Sequence, residues 1–115
     1  MKHTDSLSNN RNYKFVYKNG RSKANRLLVM YVCPNHSDRN RLGISVSKKV
    51  GNSVVRHRVT RLIRESYRLN EARFHRGWDI VVVVRTKAKE SNFFEIQSAL
   101  MHLAGLHHIL DEDEK

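Results

Sequence analysis

The chain has 115 residues, 39% of them hydrophobic, which suits one domain with one core. Its 22 Lys and Arg outnumber its 11 Asp and Glu, so the net charge of +11 favours a polyanionic partner such as nucleic acid. No apolar run approaches the roughly 18 residues of a membrane span, and no N-terminal secretion signal is present. The single cysteine, Cys33, excludes an intrachain disulfide. We therefore expect a cytoplasmic protein with no membrane or disulfide partner.

The N-terminal part of the chain predicts a frayed start followed by one short helix. Residues 1–7 are mostly polar and are expected to be frayed. Residues 8–10, Ser-Asn-Asn, offer helix caps, and Asn19-Gly20 is a typical stop signal. The first helix is therefore predicted to end near Lys18.

Aromatic residues make this first helix informative. Tyr13 and Tyr17 are four residues apart and share one helix face. They could anchor the helix in the core, or they could form a surface on which unpaired bases stack. The sequence favours neither reading. Phe15 and Val16 are predicted to be core residues.

Two strands and a loop are predicted next. Residues 26–33 are rich in branched and aromatic side chains, which is typical of a strand. The polar loop 34–40 indicates a hairpin to a strand at 41–47. One face of that second strand carries only small residues, which leave room for a ligand backbone or for a close-packed helix. These residues are Gly43, Ser45 and Ser47.

A long amphipathic helix is predicted to start at Gly51-Asn52-Ser53 and to end at about residues 69–72, because Asn and Ser side chains cap the first turn. At about 100° per residue, one set of side chains falls on the buried face. This set is Val55, Val59, Leu62, Ile63, Ser66 and Leu69.

The opposite face of this helix is cationic. It carries His57, Arg58, Arg61, Arg64 and Arg68, with Arg56 at its border. Only Glu65 interrupts the basic run, and like charges at this spacing repel each other unless a polyanion is bound. Guanidinium groups bind phosphate through two parallel hydrogen bonds. The row therefore predicts a nucleic-acid interface more than an ordinary solvated face.

The C-terminal part of the chain predicts a strand and a helix. Residues 79–85 contain a continuous β-branched run typical of a strand buried on both faces. Residues 86–91 are predicted to be a loop. Asn92 and Glu95 fit a capping box for a helix that extends to about His108.

The order of elements predicts an α+β fold, a two-layer sandwich in which three helices pack on a small mixed sheet. Residues 1–110 are expected to form one domain. Residues 111–115 contain four acidic residues and are expected to be a disordered tail.

No catalytic or metal-binding constellation is predicted. Outside the tail the acidic residues are spread over separate elements, whereas a metal-dependent nuclease needs several carboxylates to converge. They are Asp5, Asp38, Glu65, Glu71, Asp79, Glu90 and Glu95. The three C-terminal histidines lack the i, i+4 spacing of a helical metal pair and are expected at the surface. They are His102, His107 and His108.

The central stretch resembles the protein subunit of bacterial ribonuclease P. Residues 43–58 read Gly-Ile-Ser-Val-Ser-Lys-Lys-Val-Gly-Asn-Ser-Val-Val-Arg-His-Arg, and residues 61–65 read Arg-Leu-Ile-Arg-Glu. This is similar to the family signature G-h-S-V-S-K-K-h-G-N-A-V-h-R-N-R, where h is apolar. The likeness extends along nearly the whole chain. Two positions depart from the pattern: His57 replaces a usual Asn, and Thr60 replaces a common basic residue.

The resemblance implies a division of labour within a ribonucleoprotein that removes the 5′ leader of precursor tRNA. The RNA subunit would carry the active site and hold Mg²⁺ together with the substrate, and the protein would bind that RNA and the leader. The implied fold is like the second domain of ribosomal protein S5, with a left-handed crossover between two parallel strands through the basic helix.

The resemblance also implies two sets of binding residues. Contacts to the RNA subunit are expected from Lys48, Lys49, Asn52, Arg56, His57, Arg58, Arg61 and Arg64, with Arg68 from the same cationic row. Contacts to the leader are expected from Tyr13, Tyr17, Val29, Tyr31, Ser45 and Ser47. The composition and the arginine helix fit a non-enzymatic RNA-binding module, such as a ribosomal or assembly protein, equally well. A self-sufficient ribonuclease is a third option, which the scattered carboxylates weaken.

Overall fold

A five-stranded mixed sheet with three helices forms the fold, in a computed structural model that describes residues 1–111. The strand order across the sheet is β1-β4-β5-β3-β2. Apart from Asp111, the acidic tail predicted at 111–115 lies outside the described residues. The elements are β1 (Thr4–Ser6), α1 (Asn10–Asn19), β2 (Arg21–Ala24), β3 (Leu28–Pro34), β4 (Asn40–Ser45), α2 (Ser53–Asn70), β5 (Trp78–Val84) and α3 (Phe93–Leu106), with 3₁₀ turns at Glu71–Arg73 and Thr86–Glu90.

Sheet topology confirms the predicted α+β class. β4 and β5 are parallel neighbours, and the chain passes from one to the other through α2. β3 pairs antiparallel with β5 on one side and with β2 on the other, whereas β1 adds a parallel edge beside β4. The basic helix is therefore the crossover between two parallel strands. The left hand that the resemblance implies for this crossover stays a prediction.

Both faces of the sheet are covered, but unequally. α2 and α3 pack on one face, where side chains such as Met30 and Val82 meet Ile63 and Leu100 in the main core. α1 alone lies on the other face, where it buries Val16 in a smaller cluster formed with Leu7, Cys33 and Val81. Because one ten-residue helix cannot cover five strands, part of this second face is open.

The N-terminal segment is ordered, so the expectation that residues 1–7 fray is wrong for these residues. Thr4–Ser6 pairs with β4, and the Glu71 carboxylate holds the segment beside the end of α2. It accepts hydrogen bonds from the backbone N–H groups of Lys2 and His3 and from the Thr4 hydroxyl. Burial opposes ionisation of Glu71, but these hydrogen bonds outweigh it and keep its pKa below the usual value.

The predicted boundaries of α2 are confirmed, and one buried position differs from the prediction. The Asn52 side chain accepts a hydrogen bond from the Val55 N–H at 3.0 Å and caps the helix. Leu69, predicted to be buried, is 56% exposed, whereas Tyr67 is completely buried. The Tyr67 ring packs on Phe74 with ring centroids 4.7 Å apart. Its hydroxyl makes hydrogen bonds with Thr4 of β1 and Asn40 of β4. These bonds satisfy the polar group of Tyr67 inside the core.

The capping box of α3 is confirmed: the Asn92 side chain and the Glu95 backbone are bonded, as are the Glu95 side chain and the Asn92 backbone. The prediction that His107 lies at the surface is wrong, because it is 1% exposed. Its Nε2 lies 2.9 Å from the Met30 carbonyl oxygen and must donate to it. Its Nδ1 has no hydrogen-bond partner within residues 1–111.

Burial of His107 predicts a loss of stability in mild acid. Burial lowers its pKa, because a proton on Nδ1 would place a charge in the core. The unfolded chain therefore takes up a proton at about pH 6.5 while the folded chain resists. The free energy of unfolding should fall below that pH, by at most about 1.4 kcal/mol per pH unit. Urea unfolding at several pH values measures this.

His107→Gln should remove this pH-dependent component, because its side-chain amide can keep the bond to Met30 without titrating. His108→Gln is the matched control, since His108 is exposed. An equal effect of the two substitutions would contradict the assignment.

Candidate RNA-binding surfaces

The outer side of α2 is a stripe of exposed cations. His57, Arg61, Arg64 and Arg68 recur at steps of four, three and four residues, so they lie one above another on the side opposite the core. Arg61 and Arg64 make no hydrogen bond or ion pair within residues 1–111. Their guanidinium groups are therefore available to phosphate oxygens.

Arg68, at the C-terminal end of the stripe, and Arg56, which lies beside its N-terminal end, both have partners within the protein. Arg68 binds the Glu65 carboxylate through Nε at 3.0 Å and Nη2 at 2.6 Å, which lowers the pKa of Glu65 and raises that of Arg68. Arg56 donates from Nε to the Gly51 carbonyl at 3.2 Å, just before the helix begins. Each keeps other guanidinium donors, but part of each side chain is already positioned by the protein.

Arg58 lies on the flank of α2 and reaches the 3₁₀ turn before α3. Its guanidinium donates to the Ser91 carbonyl at 2.5 Å and to the Lys89 carbonyl at 3.3 Å. Its assignment to the RNA-subunit contacts stays a prediction, and the structure adds a role within the fold.

Arg58→Ala should therefore destabilise the protein, because the carbonyl of the buried Ser91 loses a charged donor. Hydrogen bonds to charged groups contribute about 1.5–3 kcal/mol. We expect a loss of about 1–2 kcal/mol, since water can replace part of the bond. Arg61→Ala is the control and should stay within about 0.5 kcal/mol of the parent. Urea unfolding of both variants measures the difference, and equal stabilities would contradict it.

A turn between β4 and α2 presents the two predicted lysines. The Val50 N–H donates to the Ser47 carbonyl, and the Lys49 N–H donates to the Ser47 hydroxyl. Lys48 and Lys49 are exposed at this turn, next to the start of the cationic stripe. Asn52 belongs to the same region, but its side chain is used as the helix cap.

A cleft lies on the other face of the sheet, along one flank of α1. It is about 600 Å³ in volume and is lined by Tyr13, Lys14 and Tyr17 from the helix and by Ser45 from β4. Tyr17 is 38% exposed, and its ring meets Tyr31 edge to face with centroids 4.9 Å apart. The three tyrosines therefore form one aromatic wall in which the rings pack on each other. The alternative that Tyr13 and Tyr17 stack with unpaired bases stays a prediction.

Gly43 gives Tyr13 its position in this wall. A Cβ atom at residue 43 would lie 2.6 Å from the Tyr13 hydroxyl oxygen and 2.7 Å from the adjacent ring carbon. The phenol ring therefore lies directly on the backbone of β4. The small face predicted for this strand serves close packing at Gly43 and lines open space at Ser45.

An open row of small and branched side chains crosses the sheet beside the tyrosines. Ser45 pairs with Val83, Val83 with Val29, and Val29 with Ala24, so the four residues share one face. All four are partly or fully exposed. Ser47 follows the end of β4 and lies in the turn that carries the lysines. The structure thus brings five of the six predicted leader residues into one region, with Ser47 at its margin.

Phe15 was predicted to be a core residue, and that prediction is wrong, because it is 57% exposed. Tyr13, Val16 and Tyr17 form the side of α1 that faces the sheet, and Phe15 lies about 100° from Val16 around the helix, outside that side. The i, i+3, i+4 spacing of those three residues was the sequence signal for the exposure of Phe15.

A metal centre is not indicated within residues 1–111. No three His, Cys, Asp or Glu side chains in that range lie close enough together to hold a metal ion. The buried Asp79 carboxylate is held instead by Arg41, at 2.8 and 2.5 Å, and by Asn35. This pairing raises the pKa of Arg41. Over the same range no helix has the length and apolar content needed to cross a membrane.

The fold and these surfaces define a small cationic α+β protein that presents a stripe of exposed cations on one face and an aromatic cleft on the other. The chain belongs to the ribonuclease P family, because the family model described as Ribonuclease P matches residues 1–107.

Relatives that are named ribonuclease P protein components agree with this assignment. The ribonuclease P protein component of Lachnoclostridium phytofermentans is 61% identical over 111 residues, which cover 96% of each chain. That of Alkaliphilus metalliredigens is 52% identical over 90% of this chain and 93% of its own.

Solved structures agree as well. The Staphylococcus aureus RNase P protein is 37% identical with a TM-score of 0.86, over 92% of this chain and 97% of its own. The Thermotoga maritima RNase P protein is 31% identical with a TM-score of 0.81, over 87% and 94% of the two chains.

Proposed function

We propose that this chain is the protein subunit of a ribonuclease P ribonucleoprotein and that it assists a catalytic RNA subunit in removing the 5′ leader of precursor tRNA in the cytoplasm. One observation carries the proposal: a chain of this family has a stripe of exposed cations on one face, in which Arg61 and Arg64 have no ion-pair partner within residues 1–111, and an aromatic cleft on the other face. The enzyme would be an endoribonuclease whose bond cleavage takes place on RNA.

The arginine stripe suits a structured RNA partner. Phosphates recur regularly along a folded RNA, and exposed guanidinium groups bind them through paired, charge-assisted hydrogen bonds. Arg61 and Arg64 supply such groups without first breaking an ion pair within the described chain. The turn at Lys48 and Lys49 extends the positive surface beyond the helix. We assign this face to the RNA subunit.

The aromatic cleft suits a single RNA strand. Unpaired bases stack on aromatic rings, and the open row from Ser45 to Ala24 lets an extended strand lie against the sheet. Lys14 at the rim of the cleft can meet a phosphate. We assign this face to the 5′ leader, which is the unpaired part of the precursor.

Residues 1–111 do not offer a protein-borne Mg²⁺ site, because no three His, Cys, Asp or Glu side chains converge among them. We propose that Mg²⁺ is held by the RNA subunit and the substrate. The protein would act by binding and orientation.

Reconstitution tests the proposal against its two rivals. Precursor tRNA is incubated at low Mg²⁺ with the protein alone, with a ribonuclease P RNA alone, and with both. Efficient 5′ cleavage only in the mixture is the expected result. Cleavage by the protein alone would identify a self-sufficient ribonuclease. Equal cleavage with and without the protein would favour an RNA-binding module of another ribonucleoprotein.

A further inference from the structure

α1 separates two grooves on the same face of the sheet. Tyr13 and Tyr17 line the cleft on one flank of the helix, whereas Phe15 and Asn19 line a groove on the other flank. Between the two flanks, the solvent side of the helix carries three cations. They are Arg11, Lys14 and Lys18.

The second groove has the make-up of a site for a planar polar ligand. It is about 380 Å³ in volume, within the range of small-ligand sites. Phe15, 57% exposed, forms one wall, and the loop at Pro34 and His36 forms the other. His36 is exposed and has a positive φ of 59°. An aromatic ring and an imidazole therefore border the same opening.

Arg41 in this groove is a positioned donor. Its Nε and Nη2 are bound to the buried Asp79 carboxylate, which fixes the plane of the guanidinium. Its Nη1 makes no hydrogen bond within residues 1–111, and the side chain is 38% exposed. A ligand in the groove would meet a preoriented N–H beside an exposed aromatic face.

The charge of the rim favours an anionic polymer. α1 has no acidic residue, and its three cations make no hydrogen bond or ion pair with the rest of residues 1–111. Arg11 and Lys18 are four residues before and three residues after Phe15, so both lie beside it on the helix surface. Stacking on an aromatic ring next to unpaired cations is the usual pattern of single-stranded nucleic-acid binding.

From this arrangement we propose that the groove beside Phe15 is a second site for unpaired RNA, occupied by the leader upstream of the segment in the tyrosine cleft. The inference rests on the proposed function. The two grooves are separated by the width of one helix, about 10–12 Å. Lys14 and Lys18 lie along the crossing and would bind the phosphates that join the two segments. A base then stacks on Phe15, and Arg41 binds its edge or its phosphate.

Leader length and single substitutions test this site in the reconstituted holoenzyme. The dissociation constant of precursor tRNA is measured with a long leader and with a leader truncated to end within the tyrosine cleft. Phe15→Ala should weaken binding of the long-leader precursor about 5- to 150-fold and leave the short-leader precursor unchanged. Phe15→Trp should preserve binding. Phe94→Ala is the matched control, since Phe94 is 74% exposed on α3, at the other face of the sheet.

The Tyr17→Ala variant and a measurement of assembly with the RNA subunit distinguish the remaining explanations. If Tyr17→Ala weakens binding of both precursors and Phe15→Ala weakens neither, the second site is wrong and the proposed function stands. If neither variant has an effect, the leader assignment itself fails. If Phe15→Ala weakens assembly with the RNA subunit in the absence of precursor, the occupant is that RNA and the leader proposal is overturned.

Discussion

Replacement of both Arg61 and Arg64 by alanine is expected to lower the affinity of this chain for the RNA subunit by about 100-fold or more. Each side chain is exposed and makes no ion pair within the described residues, so each can give its full set of donors to phosphate. Hydrogen bonds involving a charged group contribute about 1.5–3 kcal/mol, and two such losses give this magnitude. The slope of log affinity against log salt should become shallower by about 2.

Filter-binding titrations at several salt concentrations measure both quantities. Lys23→Ala with Arg26→Ala is the charge-matched control, because it removes two exposed cations from the edge strand β2 and the turn that follows it, both outside α2. A similar loss in the control would show that net charge, and not the stripe, governs affinity. An unchanged slope in the Arg61 and Arg64 variant would place the interface elsewhere.

Tyr17→Ala is expected to weaken binding of precursor tRNA by the holoenzyme about 5- to 150-fold, with little effect on mature tRNA. Its ring is 38% exposed in the cleft and is held edge to face by Tyr31. Stacking of a base on such a ring is worth about 1–3 kcal/mol, and only the precursor has the unpaired leader that can supply the base.

Tyr17→Phe separates stacking from simple packing. It keeps the ring and removes only the hydroxyl, so precursor affinity should be retained. Equal losses for precursor and mature tRNA in the Tyr17→Ala holoenzyme would mean that Tyr17 only supports the fold. Thermal unfolding of the free protein shows whether the variant is folded.

Helices α2 and α3 could be predicted closely from the sequence because their signals are local. A cap residue, a periodic apolar stripe and a stop signal all lie within the segment itself, as with Asn52 at the start of α2 and Asn92 at the start of α3. The apolar strands β3 and β5 were likewise visible as branched runs, and β4 was visible as an alternation of apolar and small residues. The strands with which they pair were implied only by the order of elements along the chain.

Edge strands β1 and β2 were missed because their formation depends on neighbours. Thr4–Ser6 is three residues long, and all four residues of Arg21–Ala24 are exposed, so neither shows an apolar alternation. β1 exists because β4 offers a free edge and because Glu71, far along the chain, binds the preceding backbone. Such a contact cannot be seen in a local pattern.

The cationic surface of α2 was predictable in its charge and not in its internal contacts. The spacing of the arginines placed them on one side of a helix, and the structure agrees. That Arg58 would reach carbonyl groups 31 and 33 residues away depends on how α3 packs beside α2. Similarly, Tyr67 replaced Leu69 in the core because a tertiary hydrogen bond satisfied its hydroxyl.

Because the Tyr13 ring packs directly on Gly43, the width of the cleft depends on residue 43 having a hydrogen atom as its side chain. A methyl group in place of that hydrogen would meet the far end of a phenol side chain, which can swing away, so the sheet itself would tolerate it. The displaced ring would then move toward the open cleft and reduce its width. The width of the proposed leader site is thus set by a backbone position of β4 that lies beneath the Tyr13 ring.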